Sequence, residues 1–229
     1  MAERAENDPH DWNNLSGVGN SGPHRGPDAP RIVIRSLPGI TPLDHQFGAY
    51  PKLSVPEDLR DLLFGQHESG PLGTFAILDA ASIPSLPELL EASEEPHRCF
   101  VKGELLSDLG DVMPWVVALS PDGSLTRALM TKGGEPWNLW GRYSGMLVRS
   151  QADLHSLWRH FRKFTRVHDD QNKPYYLRFW DRSSLNAARR DAFGDPFYRK
   201  LLGQNQLIWH DPEVTDPDRL WHVFSEDPA

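Results

Sequence analysis

Cysteine is almost absent from this sequence: Cys99 is the single one in 229 residues, which excludes an intramolecular disulfide and a thiolate zinc cage. Long apolar runs are missing too. None approaches the roughly 20 residues that a bilayer-spanning helix needs, so neither a membrane span nor a membrane partner is expected. The opening residues, Met1-Ala2-Glu3-Arg4-Ala5-Glu6-Asn7-Asp8, are acidic and hold none of the apolar stretch of an export signal; the expected location is cytoplasmic. Surplus positive charge is also lacking. A formal charge of −8 does not suit a general phosphate-backbone binder, which depends on excess Lys and Arg, and nucleic acid is not an expected partner.

What is there is globular in composition, with 38% hydrophobic and 24% charged residues. The charge is polarised. Residues 142–200 carry thirteen Lys/Arg against six Asp, a surplus of seven positive charges, while the remainder of the chain is negative by fifteen. Such a stretch reads either as solvated helix faces or as a docking face for an acidic partner.

Residues 1–30 are dominated by Gly, Asn, Asp, Pro and Ser and cannot bury enough surface to offset their ordering entropy, so a disordered tail is expected. Gly17-Val18-Gly19-Asn20-Ser21-Gly22 matches the dinucleotide fingerprint literally. That motif needs a strand before it and a helix after it to set a pyrophosphate on a helix N-terminus. Here Pro23 and Pro27 follow and no apolar run precedes, so no cofactor is inferred from it.

From Arg31 the pattern becomes structured. A short strand at Ile32-Val33-Ile34 and a helix over 57–64, closed by Gly65, form an N-terminal extension, 31–71. The main domain, 72–210, reads as short strands alternating with helices: strands near Thr74–Leu78, Arg98–Val101, Trp115–Leu119, Gly145–Val148 and Gln206–Trp209, with short helices over 84–91, 104–109 and 125–131. A strand at Leu220–Phe224 lies in a C-terminal portion, 211–229, that ends in an acidic tail. The clearest helix follows Ser150, taken as N-cap with Asp153 three residues on, and runs to near Arg166; Leu154, Leu157, Trp158, Phe161 and Phe164 form its apolar face and Arg159, Arg162 and Lys163 the opposite one. Tyr175–Trp180 reads as a strand, Asp181 or Ser183 as the cap of a helix holding Leu185, Ala188, Arg189 and Arg190, and Pro196–Leu202 as a helix stopped by Gly203. The fold class is α+β, one main domain with a flexible N-terminal tail.

No constellation for catalysis stands out. His155 and His160 are five apart, about 140° around a helix, and do not converge on a metal; His97-x-Cys99 is half a zinc site at best. Cys99, in a strand-like run, reads as a small buried hydrophobe. The pairs Glu57-Asp58, Glu94-Glu95 and Asp169-Asp170 sit in turns or helix starts, where solvated acids keep ordinary acidity. Asp79, at a strand end, reads as a helix cap or, in an enzyme of unrecognised type acting with Asp181 on a small or cell-wall substrate, as a catalytic acid. Trp115, Trp158 and Trp209 fall in apolar patterns and read as core. Trp137 and Trp140, beside Gly134 and Gly141, are either packing lids or exposed anchors, since Trp and Arg dominate interface energetics. The candidate partner-binding residues are Trp137, Trp140, Arg159, Arg162, Lys163, Arg189 and Arg190; no catalytic, cofactor or metal residue is assigned.

Four segments, in order, carry a resemblance. Phe75–Ala81 with Ile83-Pro84 and Leu89-Leu90, then Val112–Leu119, then Gly145–Ser150 with the Leu154–Phe164 helix, then Leu177-Arg178-Phe179-Trp180-Asp181 are similar to successive signatures of the bacterial DUF4123 family, over roughly residues 72–210. The resemblance implies a type VI secretion adaptor, or effector chaperone. Such a protein binds a toxic effector in the cytoplasm and helps load it onto the valine–glycine repeat spike protein VgrG, with no catalytic residue or cofactor. Immunity to a neighbouring toxin is the remaining alternative. Whether Arg178 and Asp181 belong to an interface or form an ion pair and helix cap stays open.

Overall fold

The computed structural model describes residues 32–67, 70–142, 145–169, 171–181, 194–211 and 220–226. The expected tail over 1–30 and the expected helix holding Arg189 and Arg190 lie outside the described residues. The rest is an α+β fold. Among the described residues there are nine strands, β1 (Ile32–Leu37), β2 (Gly73–Asp79), β3 (His97–Cys99), β4 (Pro114–Leu119), β5 (Gly145–Ser150), β6 (Arg166–His168), β7 (Pro174–Tyr176), β8 (Gln206–Asp211) and β9 (Leu220–Glu226). Six α-helices interleave with them: α1 (Glu57–Phe64), α2 (Leu86–Ser93), α3 (Glu104–Leu109), α4 (Ser124–Met130), α5 (Leu154–Arg162) and α6 (Gly194–Leu202). Seven strands make one sheet in the order β1-β9-β8-β5-β2-β4-β3, every pair antiparallel; β6 and β7 form a separate ribbon.

Apart from the edge strand β1, whose Val33–Ser36 are exposed, the sheet is buried on both faces, because successive side chains of a strand point to opposite sides and both sides here are apolar. Ala76, Leu78, Val117, Leu147, Ile208 and Val223 face one layer, packed under Leu59 and Leu63 of α1, Leu86 and Leu90 of α2, and Leu125 and Leu129 of α4. Phe75, Ile77, Val116, Met146, Val148, Leu207 and Phe224 face the other, under Leu157, Trp158 and Phe161 of α5 and Leu201 and Leu202 of α6. A large side chain fully removed from water contributes about 1.5–3 kcal/mol, so both layers are held by the hydrophobic effect.

The strongest helical pattern in the sequence is α5, with two corrections. Its N-cap is Asp153, whose carboxylate accepts the Ser156 N–H at 2.7 Å; Ser150 ends β5 and accepts from the Ala152 N–H instead. It ends at Arg162, not near Arg166, because the Phe164 and Thr165 N–H groups bond the carbonyls three residues back, a tightening that releases the chain into β6. The strand expected over 175–180 is also shorter. Only Pro174–Tyr176 pair; the Asp181 N–H then bonds the Arg178 carbonyl at 3.1 Å, and this turn buries the neighbours Phe179 and Trp180 together where a strand would separate them. Helix α6 stops at Gly203, whose φ of +53° suits glycine.

Candidate functional site

The segment following Leu43 displays aromatic rings on a rigid frame. Leu43 pairs with Thr131 just after α4, its N–H bonding the Met130 carbonyl and its own carbonyl accepting from the Lys132 N–H, both at 2.9 Å. Ten residues on, the Gln46 side chain closes a loop by bonding both backbone groups of Leu53, donating at 2.9 Å and accepting at 2.7 Å. Gln46 and Gly48 adopt φ values of +48° and +75°, and the turn between them throws out Phe47 and, beyond it, Tyr50, which are 89% and 99% exposed. An open groove of about 360 Å³ runs beside this loop, lined by His45, Lys52, Leu89, Leu125, Arg127 and Trp137 among others. Trp137 remains 57% exposed. A loop whose shape is fixed by its own hydrogen bonds loses little entropy on docking, so Phe47, Tyr50 and Trp137 are suited to be anchors.

A second surface lies on α5, in the opposite layer. Trp158 donates its Nε1–H to the Cys99 carbonyl at 2.7 Å, pinning α5 to β3, the edge strand. Over its ring stand Arg98, Lys102 and Arg162, with charge centres 4.3, 4.4 and 4.9 Å from the ring centroid. His155 stacks on the same indole, and an Arg98 N–H donates to its Nδ1 at 2.6 Å. Arg159 and Lys163 are exposed on the outer side of the helix. Burial, and then the charge of Arg98, pull the Arg162 guanidinium below its ordinary range.

A third cluster is internal. Asp79, at the end of β2, caps the 3₁₀ turn Ala80–Ser82 by accepting the Ala81 N–H at 3.0 Å. Its other oxygen accepts from Arg178 and from the Trp180 Nε1–H at 3.2 Å. Arg178 Nε lies 4.0 Å from Asp181. Asp79 is thus buried and surrounded by donors, an arrangement that fixes the 178–181 turn against the sheet. Tyr176, half-exposed at the rim of this cluster and edge-on to Trp180, has its hydroxyl pushed above the usual tyrosine range, first by the partial burial of that group and then by the Asp79 charge. Cys99 is buried, which raises its thiol pKa. His155 and His160 point to different partners, Arg98 and the Leu201 carbonyl. Among the described residues no group of three or more His, Cys, Asp or Glu is placed to hold a metal ion.

The sequence-derived candidates divide accordingly. Trp137 is exposed at the groove, and Arg159 and Lys163 are exposed on α5. Arg162 is a correction: it does not belong with Arg159 and Lys163 on the face opposite the apolar one but folds over the Trp158 ring, one turn back along the helix. Trp140 is a correction: it is 4% exposed and packs on Trp221 at 5.6 Å, inside the α1, α2 and α4 layer, and cannot serve as a surface anchor. Arg189 and Arg190 lie outside the described residues. Sequence reading missed Phe47, Tyr50, Arg98, Lys102 and His155. The i,i+4 spacing of Trp158 and Arg162 was a legible signal; the approach of β3 to α5 was not. No helix among the described residues is long and apolar enough to cross a membrane.

The sequence profile of a family described as a domain of unknown function, DUF4123, matches residues 74–192, more than half of the chain. The chain belongs to the DUF4123 family. No curated protein and no solved structure matches it. The DUF4123 match begins in β2 and stops before α6. It therefore includes the Trp158 cluster and Trp137, and omits the Phe47 loop and the strands β1, β8 and β9.

Proposed function

We propose that this DUF4123 chain is a cytoplasmic adaptor that binds a type VI secretion effector and helps load it onto the VgrG spike. The observation that carries the reading is the pair of chemically different surfaces on opposite layers of the fold. One is aromatic and built on a preformed loop; the other is cationic and lies along α5. A protein that holds two others needs two such faces that do not overlap, and aromatic anchors and complementary charge are the chemistries that give affinity and on-rate respectively. The internal placement of Asp79 among donors suits a framework role better than proton transfer.

The test is co-purification of tagged chain with a co-expressed effector and VgrG. The expected result is capture of both. Phe47→Ala with Tyr50→Ala should release one partner, and Arg159→Glu with Lys163→Glu the other, the second loss being the more salt-sensitive. Capture of neither protein by the wild-type chain would remove the adaptor reading.

A further inference from the structure

We infer that the outer edge of β1 is a docking site for an extended segment of a protein partner, which adds a strand to the sheet and sets an acidic side chain against Arg35. β1 is an end strand of the sheet, paired with β9 on one side only. In an antiparallel ladder every second residue turns both its N–H and its C=O away from the neighbouring strand, so half of the backbone groups of β1 point outward. Among the described residues, no backbone hydrogen bond outside the β1–β9 ladder involves Ile32 to Leu37.

The two ends of the sheet differ. At the far end β3 has three residues, and the Trp158 indole donates to its Cys99 carbonyl at 2.7 Å; short, covered strands are a usual protection against edge pairing. β1 has six residues, and neither helix layer closes over it. Val33 and Ile34, which face opposite sides of the sheet, are 40% and 42% exposed, whereas Phe224, opposite Ile34 on β9, is 4% exposed. A strand laid along β1 would cover both side chains at once, and only another backbone offers donors and acceptors at strand spacing. Arg35 selects among such segments. It is exposed in the middle of β1 and, among the described residues, its side chain forms no hydrogen bond or ion pair. It stands opposite Val223, on a face that an added strand would continue, where opposite charges on neighbouring strands attract. β1 itself, Ile-Val-Ile-Arg-Ser-Leu, has no acid to offer, and two copies of a chain of charge −8 repel. The occupant is therefore a different protein and not a second copy. β1 lies outside the family segment 74–192, so the inference does not rest on the adaptor reading.

The probe is a short fluorescein-labelled peptide alternating Val and Thr around one Glu, followed by anisotropy on the full chain. A copy N-methylated at two adjacent central residues keeps every side chain but loses an N–H on each edge, and a third peptide carries Gln for Glu. The Glu peptide should bind and the methylated one should not. The Gln peptide should bind about threefold more weakly, a difference that Arg35→Gln abolishes. Ile34→Lys, which puts a charge on the edge at an exposed position, should weaken binding about tenfold. Val112→Lys, the same kind of change at an exposed position beside β4, near the other end of the sheet, should leave it unchanged. If Ile34→Lys loses its melting transition, the three peptides on the wild type and on Arg35→Gln still decide. Equal binding of the methylated peptide, or full binding by folded Ile34→Lys, would overturn the inference, and equal binding of the Glu and Gln peptides would overturn the role of Arg35. A self-associating chain that Ile34→Lys converts to monomer in sedimentation would overturn it too, since the edge would then be filled by a copy of itself.

Discussion

Asp79 and Arg178 show how far one residue's surroundings decide its worth. The aspartate side chain is 2% exposed and the arginine 45%, so removing either partner has unequal consequences. Without Arg178, a buried carboxylate keeps its charge with fewer donors; without the carboxylate charge, the guanidinium turns to water. Arg178→Ala should therefore cost about 2–4 kcal/mol, and Asp79→Asn, which still accepts the Ala81 N–H, about 1 kcal/mol, as read from urea unfolding; the reverse ranking would mean that the bond from the Trp180 indole to the second carboxylate oxygen outweighs the ion pair. His160 gives a pH dependence. Its ring donates to the Leu201 carbonyl at 2.8 Å from a half-buried position, and desolvation first, with the Lys163 charge adding, pulls its pKa below the ordinary 6.5. The unfolded chain thus binds the proton more readily than the folded one. The stability that neutral His160 contributes is complete above about pH 6.5 and is lost as pH falls from there through the depressed folded value. Unfolding free energy should drop across that window in the wild type and more shallowly in His160→Gln. Both roles were only half legible in the sequence. Asp79 was readable as a cap, but its partner lies ninety-nine positions away.

At the scale of elements, local signals carried well where an element is decided locally. Helix α1 has Glu57 and Asp58 in its first turn, where the dipole favours acids, and the turn at Gly203 was readable from glycine alone. The β6–β7 ribbon was not, because three-residue strands have too few positions to show alternation, and Phe179 and Trp180 imitate a strand's apolar content. Arg149 shows a link between elements that periodicity misses. It sits in β5 on the α1 side, 3% exposed, and its two terminal nitrogens donate to the Leu62 and Gly65 carbonyls at 2.7 and 2.8 Å. These are carbonyls that the end of α1 leaves without helical partners, so a strand residue caps a helix. A lysine has one point of charge and cannot span both. Arg149→Lys should destabilise by about 2 kcal/mol, with one buried carbonyl left wanting a donor, and chemical denaturation would measure it; a loss below about 0.5 kcal/mol, the level of an ordinary surface change, would mean water replaces the lost bond at no cost.

The whole molecule is closed by pairings that join distant parts of the chain. β1 pairs with β9, Ile32 opposite Glu226 and Leu37 opposite Trp221, and β8 docks on β5. Hydrophobic patterning identified most of these strands one by one, but it could not order them, since a strand apolar on both faces gives no clue to its neighbours. The same closure bears on the family segment. Residues 74–192 contain β2 to β7 but none of α6, β8 or β9. Those three supply Phe197, Leu201, Leu202, Leu207, Trp209 and Phe224 to the layer beneath α5, and β8 covers the free edge of β5. Cut to residues 74–192, the chain would expose that edge and much of that layer, conditions that favour aggregation over folding. The fragment should lose the sharp cooperative unfolding transition of the full chain and sediment as aggregate. Restoring residues 193–226 in the same polypeptide should recover most of it, since they return the missing strands and α6 together. A soluble fragment with a cooperative transition of its own would show instead that the Trp158 layer is self-sufficient and that the C-terminal strands only lengthen the sheet.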